Sequence, residues 1–157
     1  MENKSEIENY WNRFVKEKGI VETNYLVWSF GDNKQMADEL AALVVKGKKT
    51  ATTSAFDLYE ENEAKPKVGE YNIILEGHKR PVCITKTEVV EVVPFKFVSA
   101  EHAYHEGEGD RTLSYWRKVH KSFFKREYAK AKKHLLQTSL VFARYSKSFI
   151  FNLERSF

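Results

Sequence analysis

The change from a helical to a strand pattern at Gly47 constrains the fold more than any other sequence feature. Before it, apolar residues recur at helical spacing, including Met36, Leu40 and Val44. After it, the run Lys-Lys-Thr-Ala-Thr-Thr-Ser is rich in β-branched residues, which favour strands. Because glycine commonly ends helices, the pattern predicts a helix that turns directly into a strand. Such a corner holds its side chains in fixed positions.

This corner carries two lysines beside a group of hydroxyls. If it borders a pocket, the ammonium group of Lys49 and the hydroxyls of Thr50, Thr52 and Ser54 lie in that pocket. The alternative is that Lys48 and Lys49 only complement the negative end of the preceding helix dipole. Residue types alone leave both interpretations open.

Apolar periodicity and turn residues predict the other elements. Helices are predicted at about 5–18, 33–46, 99–105 and 111–132. Their predicted N-caps are, in the same order, Ser5, which forms a capping box with Glu8, then Asp32 or Asn33, then Ser99, and then Asp110. Strands are predicted at 25–30, 50–56, 71–75 and 81–93, and from Thr138 toward Phe149, Phe151 and Leu153. This order predicts an α+β domain with a small antiparallel sheet, which can close as a barrel.

The 157 residues, 42% hydrophobic and 31% charged, are typical of a single globular domain. The lone cysteine, Cys83, lies in a strand pattern and excludes an internal disulfide framework. No apolar stretch approaches the roughly 18 residues of a membrane span, and acidic residues replace a signal peptide's apolar run. We therefore predict a cytoplasmic protein that binds no membrane, and we leave its oligomeric state open.

The charge is unevenly distributed. Residues 112–157 hold 11 of the 26 Lys and Arg residues but only two of the 22 Asp and Glu residues. A basic end of this kind can face phosphate. It is equally typical of a solvated helix face, so the charge alone does not identify a nucleic-acid surface.

A second unusual stretch, Glu106-Gly-Glu-Gly-Asp-Arg, contains three carboxylates separated by glycines. The glycines allow sharp turns, so Glu106, Glu108 and Asp110 can point into a common space as acid/base groups or cation ligands. The alternative is that Asp110 caps the next helix, Glu108 is solvated and Arg111 pairs with them. The sequence does not decide between these readings.

The histidines offer one further hypothesis. His102 and His105 lie one helical turn apart and could form a zinc trio with Glu106, but no additional ligand set supports it, and we predict no metal. His120 is interpreted as a hydrogen-bonded core residue. The sequence lacks a Walker loop, a Rossmann fingerprint, a Gly-x-Ser-x-Gly elbow and a Cys-x-x-Cys pair, so we expect no cofactor and no standard nucleotide-hydrolase or redox chemistry.

Several segments together resemble the ASCH domain family, in its bacterial branch of about this length. They are Trp28-Ser-Phe-Gly-Asp, Ala37-Asp-Glu-Leu, Gly47-Lys-Lys-Thr-Ala-Thr, Pro66-Lys-Val-Gly and the block from Glu106 to His120. The resemblance implies a PUA-like fold, a small β-barrel flanked by helices, that binds RNA or modified nucleosides. On this basis residues 1–157 form one domain, with a helical part at 1–46, the barrel and long helix at 47–133, and an atypical tail at 134–157.

Some small ASCH proteins are amidohydrolases that deacetylate N4-acetylcytidine with a lysine, a threonine and a glutamate. The resemblance carries these roles onto Lys49, Thr52 and Glu106, with Thr52 as nucleophile and Lys49 as base, or as an electrostatic group if Glu106 keeps it protonated. A regular strand would point residues 49 and 52 to opposite faces. The two side chains therefore converge only if Lys49 belongs to the turn.

Another ASCH branch has been described as ribonucleases, and a non-catalytic RNA or nucleotide reader is a further alternative. In a reader, Lys49 and Arg111 would meet phosphate while Trp28 or Tyr115 stacks on a base. Pocket-wall or core packing is the alternative use of Trp28 and Phe30. The residues that we predict to bind substrate are Trp28, Phe30, Thr50, Ser54, Glu108, Asp110, Arg111 and Tyr115.

The resemblance stops at about Lys133. Relatives of this length end on a strand of the type Leu-Val-Cys-Glu-x-Phe-Lys, whereas this chain reads Leu-Val-Phe-Ala-Arg-Tyr-Ser from Leu140. One hypothesis is that a frameshift rewrote the tail, in which case part of its positive charge says little about RNA.

Overall fold

The computed structural model describes residues 4–21 and 24–150. The helices are α1 (Lys4–Lys18), α2 (Lys34–Val45), α3 (Ala100–Glu106) and α4 (Leu113–Lys130). The strands are β1 (Leu26–Trp28), β2 (Ala51–Ala55), β3 (Tyr71–Leu75), β4 (Pro81–Pro94) and β5 (Leu140–Phe149). The predicted α+β class is confirmed, and the predicted strand residues Phe151 and Leu153 lie outside the described residues.

The five strands form one curled sheet in the order β1-β3-β4-β5-β2. The strand pairs are antiparallel, except that β1 runs parallel to β3. The prediction of a closed antiparallel barrel is not confirmed, because β1 and β2 stand at opposite edges and no pairing between them occurs in the described part of the chain. With three residues, β1 is too short to provide a full closing edge, and the sheet remains a half-barrel.

The long strand β4 curves the sheet. Its pairing with β5 shifts register between Thr87 and Val89, which is the effect of a bulge that bends a strand. The predicted 81–93 segment is therefore one continuous bent strand. Its residue Cys83 is completely buried, and burial raises the pKa of the thiol to about 12, which makes the thiol unreactive.

Helices cover the sheet on two sides. The aromatic stripe of α1, Tyr10, Trp11 and Phe14, packs on Tyr71 and Ile73 of β3. On the opposite face of β3, Ala41 and Val44 of α2 pack on Ile74. The apolar stripe of α4 forms a separate cluster with Val141 of β5 and Ala103 of α3; its buried members are Trp116, Phe124 and Tyr128. None of the helices in the described ranges is both long and apolar enough to cross a bilayer.

The N-caps were predicted in part correctly. Asn33 accepts from Met36 N–H at the start of α2, and Ser99 accepts from His102 N–H at the start of α3. The prediction that Asp110 caps the long helix is wrong, because Thr112 is the N-cap of α4. Arg111 has a left-handed φ of 65°, so the helix can begin only after it. At the first helix, α1 already begins at Lys4, which places Ser5 within the first turn.

Candidate functional site

The predicted corner forms as the sequence indicates. Gly47 follows α2 with φ +80°, the left-handed conformation that glycine adopts without steric cost. The N–H groups of Lys48 and Lys49 both donate to the carbonyl of Leu43, so Lys49 belongs to the turn and not to β2. Thr50 N–H then donates to the His105 carbonyl at 2.7 Å, which attaches the corner to the end of α3.

This turn directs the Lys49 side chain into the protein. Its Nζ lies 2.7 Å from Glu106 Oε1 and 2.8 Å from Glu108 Oε2, and the residue is 2% exposed. Lys48, by contrast, is exposed. A buried ammonium paired with two carboxylates has a role beyond complementing a helix dipole, so the pocket interpretation applies to Lys49.

Two glycines allow the Glu106–Glu108 segment to approach the corner. Gly107 has φ +75°, and a Cβ atom built on it would lie 2.3 Å from the backbone oxygen of Lys48. Gly109 has φ +57°, and its Cβ would lie 2.4 Å from the Tyr115 ring. Any larger residue at position 107 would separate the segment from the Lys49 turn, so this close approach requires glycine.

Glu106 is the centre of the buried cluster, with 1% of its surface exposed. Its Oε2 accepts from Thr53 Oγ1 at 2.6 Å and from Trp116 Nε1 at 2.7 Å. Burial alone would raise the pKa of Glu106, but Lys49 and His120 hold that pKa well below its ordinary value. Glu106 is therefore an ionised, acceptor-saturated carboxylate.

The pKa values of Lys49 and Glu108 are both raised, for different reasons. Burial alone would lower the pKa of Lys49, but Glu106 and Glu108 raise it above its ordinary value, so the amine stays protonated. Burial raises the pKa of Glu108, and the charge of Glu106 adds to the rise against the opposing effect of Lys49. Neighbouring carboxyls whose pKa values are pushed apart can take different acid/base roles.

His120 is buried and its Nδ1 lies 3.0 Å from the Trp116 carbonyl oxygen, in agreement with its interpretation as a hydrogen-bonded core residue, but the sequence did not indicate that His120 and His102 also face Glu106. His120 is stacked on Trp116 with ring centroids 4.2 Å apart, and its Nε2 lies 3.4 Å from Glu106 Oε2. Burial alone would lower the pKa of His120, but Glu106 raises it. His102 Nε2 lies 2.7 Å from Thr53 Oγ1. Because Thr53 donates to Glu106, this His102 contact requires the proton on Nε2.

The structure does not bring together the zinc trio that the sequence suggested as a hypothesis. His102 contacts Thr53 and Glu106, whereas His105 Nδ1 lies 3.4 Å from Thr50 Oγ1. Among the described residues, a different trio brings possible ligand atoms within 4.8 Å of one another: Glu106, Glu108 and His120. The Lys49 ammonium lies between the two carboxylates, so a metal ion would have to displace it.

A cavity of about 470 Å³ opens over this cluster, a size suited to a small organic ligand. Of the predicted catalytic and substrate-binding residues, it is lined by Lys49, Thr52, Glu106, Trp28, Phe30, Ser54 and Glu108. Thr50 instead lines a smaller adjoining cavity. The remaining predicted residues, Asp110, Arg111 and Tyr115, line neither of these cavities.

Structural contacts explain why those three residues lie apart. Asp110 accepts from Thr112 N–H and Oγ1–H. The Arg111 guanidinium donates to the backbone oxygens of Tyr104 and Lys48 and stacks on the Tyr104 ring at 3.7 Å. Tyr115 packs over Gly109. Arg111 thus braces the junction between the corner and α3.

Four residues at the site were not predicted from the sequence: Thr53, Trp116, His120 and Arg144. Helical spacing gave a signal for two of them, since Trp116 and His120 are four residues apart and so share one face of α4. The hydroxyl run contained Thr53 without distinguishing it from its neighbours. Arg144 had no local signal, because its partner Glu70 is 74 residues away.

Fold and site together define a class: an α+β domain whose half-barrel sheet carries a ligand-sized cavity above a buried Lys–Glu cluster. Within this class, the chain belongs to the ASCH domain family, whose family model matches residues 26–147. The match continues past Lys133, and β5 is paired on both sides, with β4 and β2. The first part of the tail is thus integral to the sheet, and it gives the frameshift hypothesis no support.

Solved structures with similar folds agree with the family. A protein from Enterococcus faecalis is 35% identical, with a TM-score of 0.83 over 93% of this chain and 94% of that one. An ASCH domain from Lactobacillus crispatus is 26% identical, with a TM-score of 0.82 over 92% of both chains. No curated protein matches the chain.

Proposed function

We propose that this protein is an amidohydrolase that binds an acylated nucleoside such as N4-acetylcytidine in the 470 Å³ cavity and removes its acyl group. The observation that carries the proposal is the buried Lys49 ammonium at 2.7–2.8 Å from Glu106 and Glu108, in a cavity whose wall also includes Thr52. Deacylation needs a nucleophile, a proton acceptor and a group that stabilises an oxyanion. These residues can supply all three.

The charge states favour a particular division of roles. Thr52 attacks the acyl carbon and passes its proton to Glu108, whose carboxylate is a stronger base than an ordinary one because burial raises its pKa. The protonated Lys49 stabilises the oxyanion of the tetrahedral intermediate. When the carbon–nitrogen bond breaks, Glu108 returns the proton to the leaving amine, and a water molecule then hydrolyses the Thr52 ester with Glu108 as base.

Glu106 has a supporting role in this scheme. With a pKa well below its ordinary value, it remains ionised and positions Lys49 through the 2.7 Å contact. The raised pKa of Lys49 favours the electrostatic role for this residue over the role of base.

The first test is to incubate the purified protein with N4-acetylcytidine and to follow cytidine and acetate by chromatography. We expect turnover in the wild type and a fall in kcat of at least about 100-fold in Thr52→Val and Lys49→Ala, since the nucleophile or the oxyanion partner is then missing. The matched control is Thr138→Val at an exposed threonine. Full turnover in Thr52→Val would contradict the assignment of the nucleophile.

A second candidate function is binding of a modified nucleoside or RNA without hydrolysis. The observation that favours it is that Lys49 is already paired with two carboxylates, an arrangement that can be purely structural. Tight binding of N4-acetylcytidine without release of acetate would select this candidate. RNA cleavage in the same assay would instead select the ribonuclease alternative.

A further inference from the structure

A second buried ion pair lies in the cavity wall, away from the Lys49 cluster. Arg144 Nη1 donates to Glu70 Oε1 at 3.0 Å, and their side chains are 9% and 7% exposed. Both residues line the cavity. The proposed reaction uses neither of them.

The pair is held by a chain of buried polar contacts. Glu70 accepts from Thr87 Oγ1 at 3.5 Å, and Thr87 accepts from Asn72 Nδ2 at 3.3 Å. Asn72 Oδ1 in turn accepts from Trp28 Nε1 at 2.9 Å. Asn72 and Thr87 are completely buried. The network thus fixes the Arg144 guanidinium and the Trp28 ring relative to one another, with the guanidinium carbon 5.0 Å from the ring centroid.

Stability alone does not explain this network. A buried ion pair is commonly no more stabilising than apolar residues of the same volume, because desolvating the charges is costly. Glu70 is the one hydrogen-bond partner of the guanidinium among the described residues, whereas arginine carries five N–H donors. Donors therefore remain for a ligand in the cavity that Arg144 lines.

The position of Arg144 relates it to the reacting groups. In the β2–β5 pairing Arg144 stands directly opposite Thr52, so the two side chains share one face of the sheet. Trp28 and Phe30 form an aromatic wall between Arg144 and Lys49. Their ring centroids are 4.8 Å apart, and Lys49 Nζ lies 5.2 Å from the Phe30 centroid. A flat ring along this wall has one end near Lys49 and the other near Arg144.

From this geometry we infer that Arg144, positioned by Glu70, recognises a carbonyl oxygen on the ring of the ligand. The ring carbonyl accepts from the guanidinium, while the acyl group on the exocyclic nitrogen lies toward Thr52 and Lys49. The acyl part of this inference rests on the proposed function. The recognition of the carbonyl stands on binding alone.

Two related compounds test the inference: N4-acetylcytosine and 4-acetamidopyrimidine, which lacks the 2-oxo group and the N1 proton that accompanies it. Dissociation constants are measured by quenching of tryptophan fluorescence, and acetate release is followed in parallel. We expect the wild type to bind N4-acetylcytosine about tenfold or more tightly than 4-acetamidopyrimidine, because a hydrogen bond to a charged donor is lost without the carbonyl.

Substitutions then assign the preference to Arg144. Arg144→Lys keeps a charge opposite Glu70 but loses the planar guanidinium with its several N–H donors. We expect this variant to bind N4-acetylcytosine no more than about threefold more tightly than 4-acetamidopyrimidine. The double variant Arg144→Met with Glu70→Gln removes both charges without leaving one unpaired, and its preference should vanish. Arg80→Lys, at an exposed arginine of the β3–β4 hairpin, is the matched control and should retain the wild-type preference.

The outcomes separate this inference from the proposed function. Preference without acetate release from N4-acetylcytosine or from N4-acetylcytidine overturns the hydrolase and supports carbonyl recognition by Arg144. Acetate release with an unchanged preference in both Arg144 variants overturns the inference and leaves the hydrolase. A wild type that binds neither compound, or binds both equally, also overturns the inference.

Discussion

At the scale of single residues, Glu106 holds the site together. Its carboxylate contacts the Lys49 ammonium, the Thr53 hydroxyl and the Trp116 indole. A carboxylate buried to this degree stabilises the protein only while its partners remain in place, because an unpaired buried charge is costly. The same contacts that position Lys49 for chemistry therefore also contribute to folding.

Glu106→Gln should lower the free energy of unfolding by about 3 kcal/mol, because it removes a charge from a buried ion pair. Urea denaturation measures this loss, with Glu61→Gln at an exposed site as the control. Adding Lys49→Met to Glu106→Gln should cost less than the sum of the two single losses, since the Lys49–Glu106 contact can be lost only once. Strictly additive losses in the double variant would show that the two groups are not coupled.

At the scale of elements, two connections meet to make the site. The α2–β2 corner supplies Lys49, and the α3–α4 connection supplies Glu106 and Glu108. Gly107 lies where the two come together, with no room for a Cβ against the Lys48 backbone. Gly47 has a similar positive φ, but a Cβ there would meet nothing within 4 Å. Substitutions at the two glycines therefore distinguish the effect of backbone strain, which both share, from the effect of close approach, which occurs only at Gly107.

Gly47→Ala should cost about 1–2 kcal/mol of stability, because it places a side chain on a left-handed backbone. Gly107→Ala should cost more, because its Cβ would also overlap the Lys48 backbone oxygen. Only Gly107→Ala should also displace the Lys49 turn, and we expect it to reduce hydrolysis of N4-acetylcytidine at least about tenfold beyond the loss in Gly47→Ala. Thermal unfolding and turnover at a temperature where both variants are folded provide the comparison. Equal activity in the two variants would contradict a role for the close approach.

At the scale of the whole molecule, the buried cluster links stability to pH. His120 faces Glu106 and Glu108, and its pKa is raised above its ordinary value of 6.5. A group whose pKa is higher in the folded state contributes stability that is fully present below the unfolded pKa. That contribution is lost as pH rises through the folded pKa, which here lies above 6.5.

The free energy of unfolding of the wild type should therefore fall as the pH is raised upward from about 6.5. His120→Gln should flatten this part of the profile, whereas His134→Gln, at an exposed histidine, should leave it unchanged. Glu108 has a raised pKa as well, and the charge of His120 lowers it, so the change in the His120→Gln profile reports His120 together with its effect on Glu108. A His120→Gln profile as steep as that of the wild type would rule out His120 as the source.

Local patterns determined most of the elements. The helical spacing before Gly47, the β-branched run after it and the caps Asn33 and Ser99 were read correctly, because these signals act between residues close in sequence. The family resemblance identified Lys49, Thr52 and Glu106, which line the cavity. Asp110 was misassigned as a cap because a positive φ at Arg111 delays the start of α4, and such a conformation has no clear signal in a non-glycine residue.

By itself, then, the sequence determined the class of fold, its elements, the family and the residues with unusual chemistry. Only the tertiary structure decided that the sheet stays open, that Lys49 meets Glu106 across 57 positions of sequence, and that Arg144 meets Glu70 across 74. The physical reason is the distance along the sequence over which each kind of interaction acts. Backbone propensities and capping act over one or two turns, whereas these contacts depend on how complete elements pack and on whether a Cβ fits between two backbones.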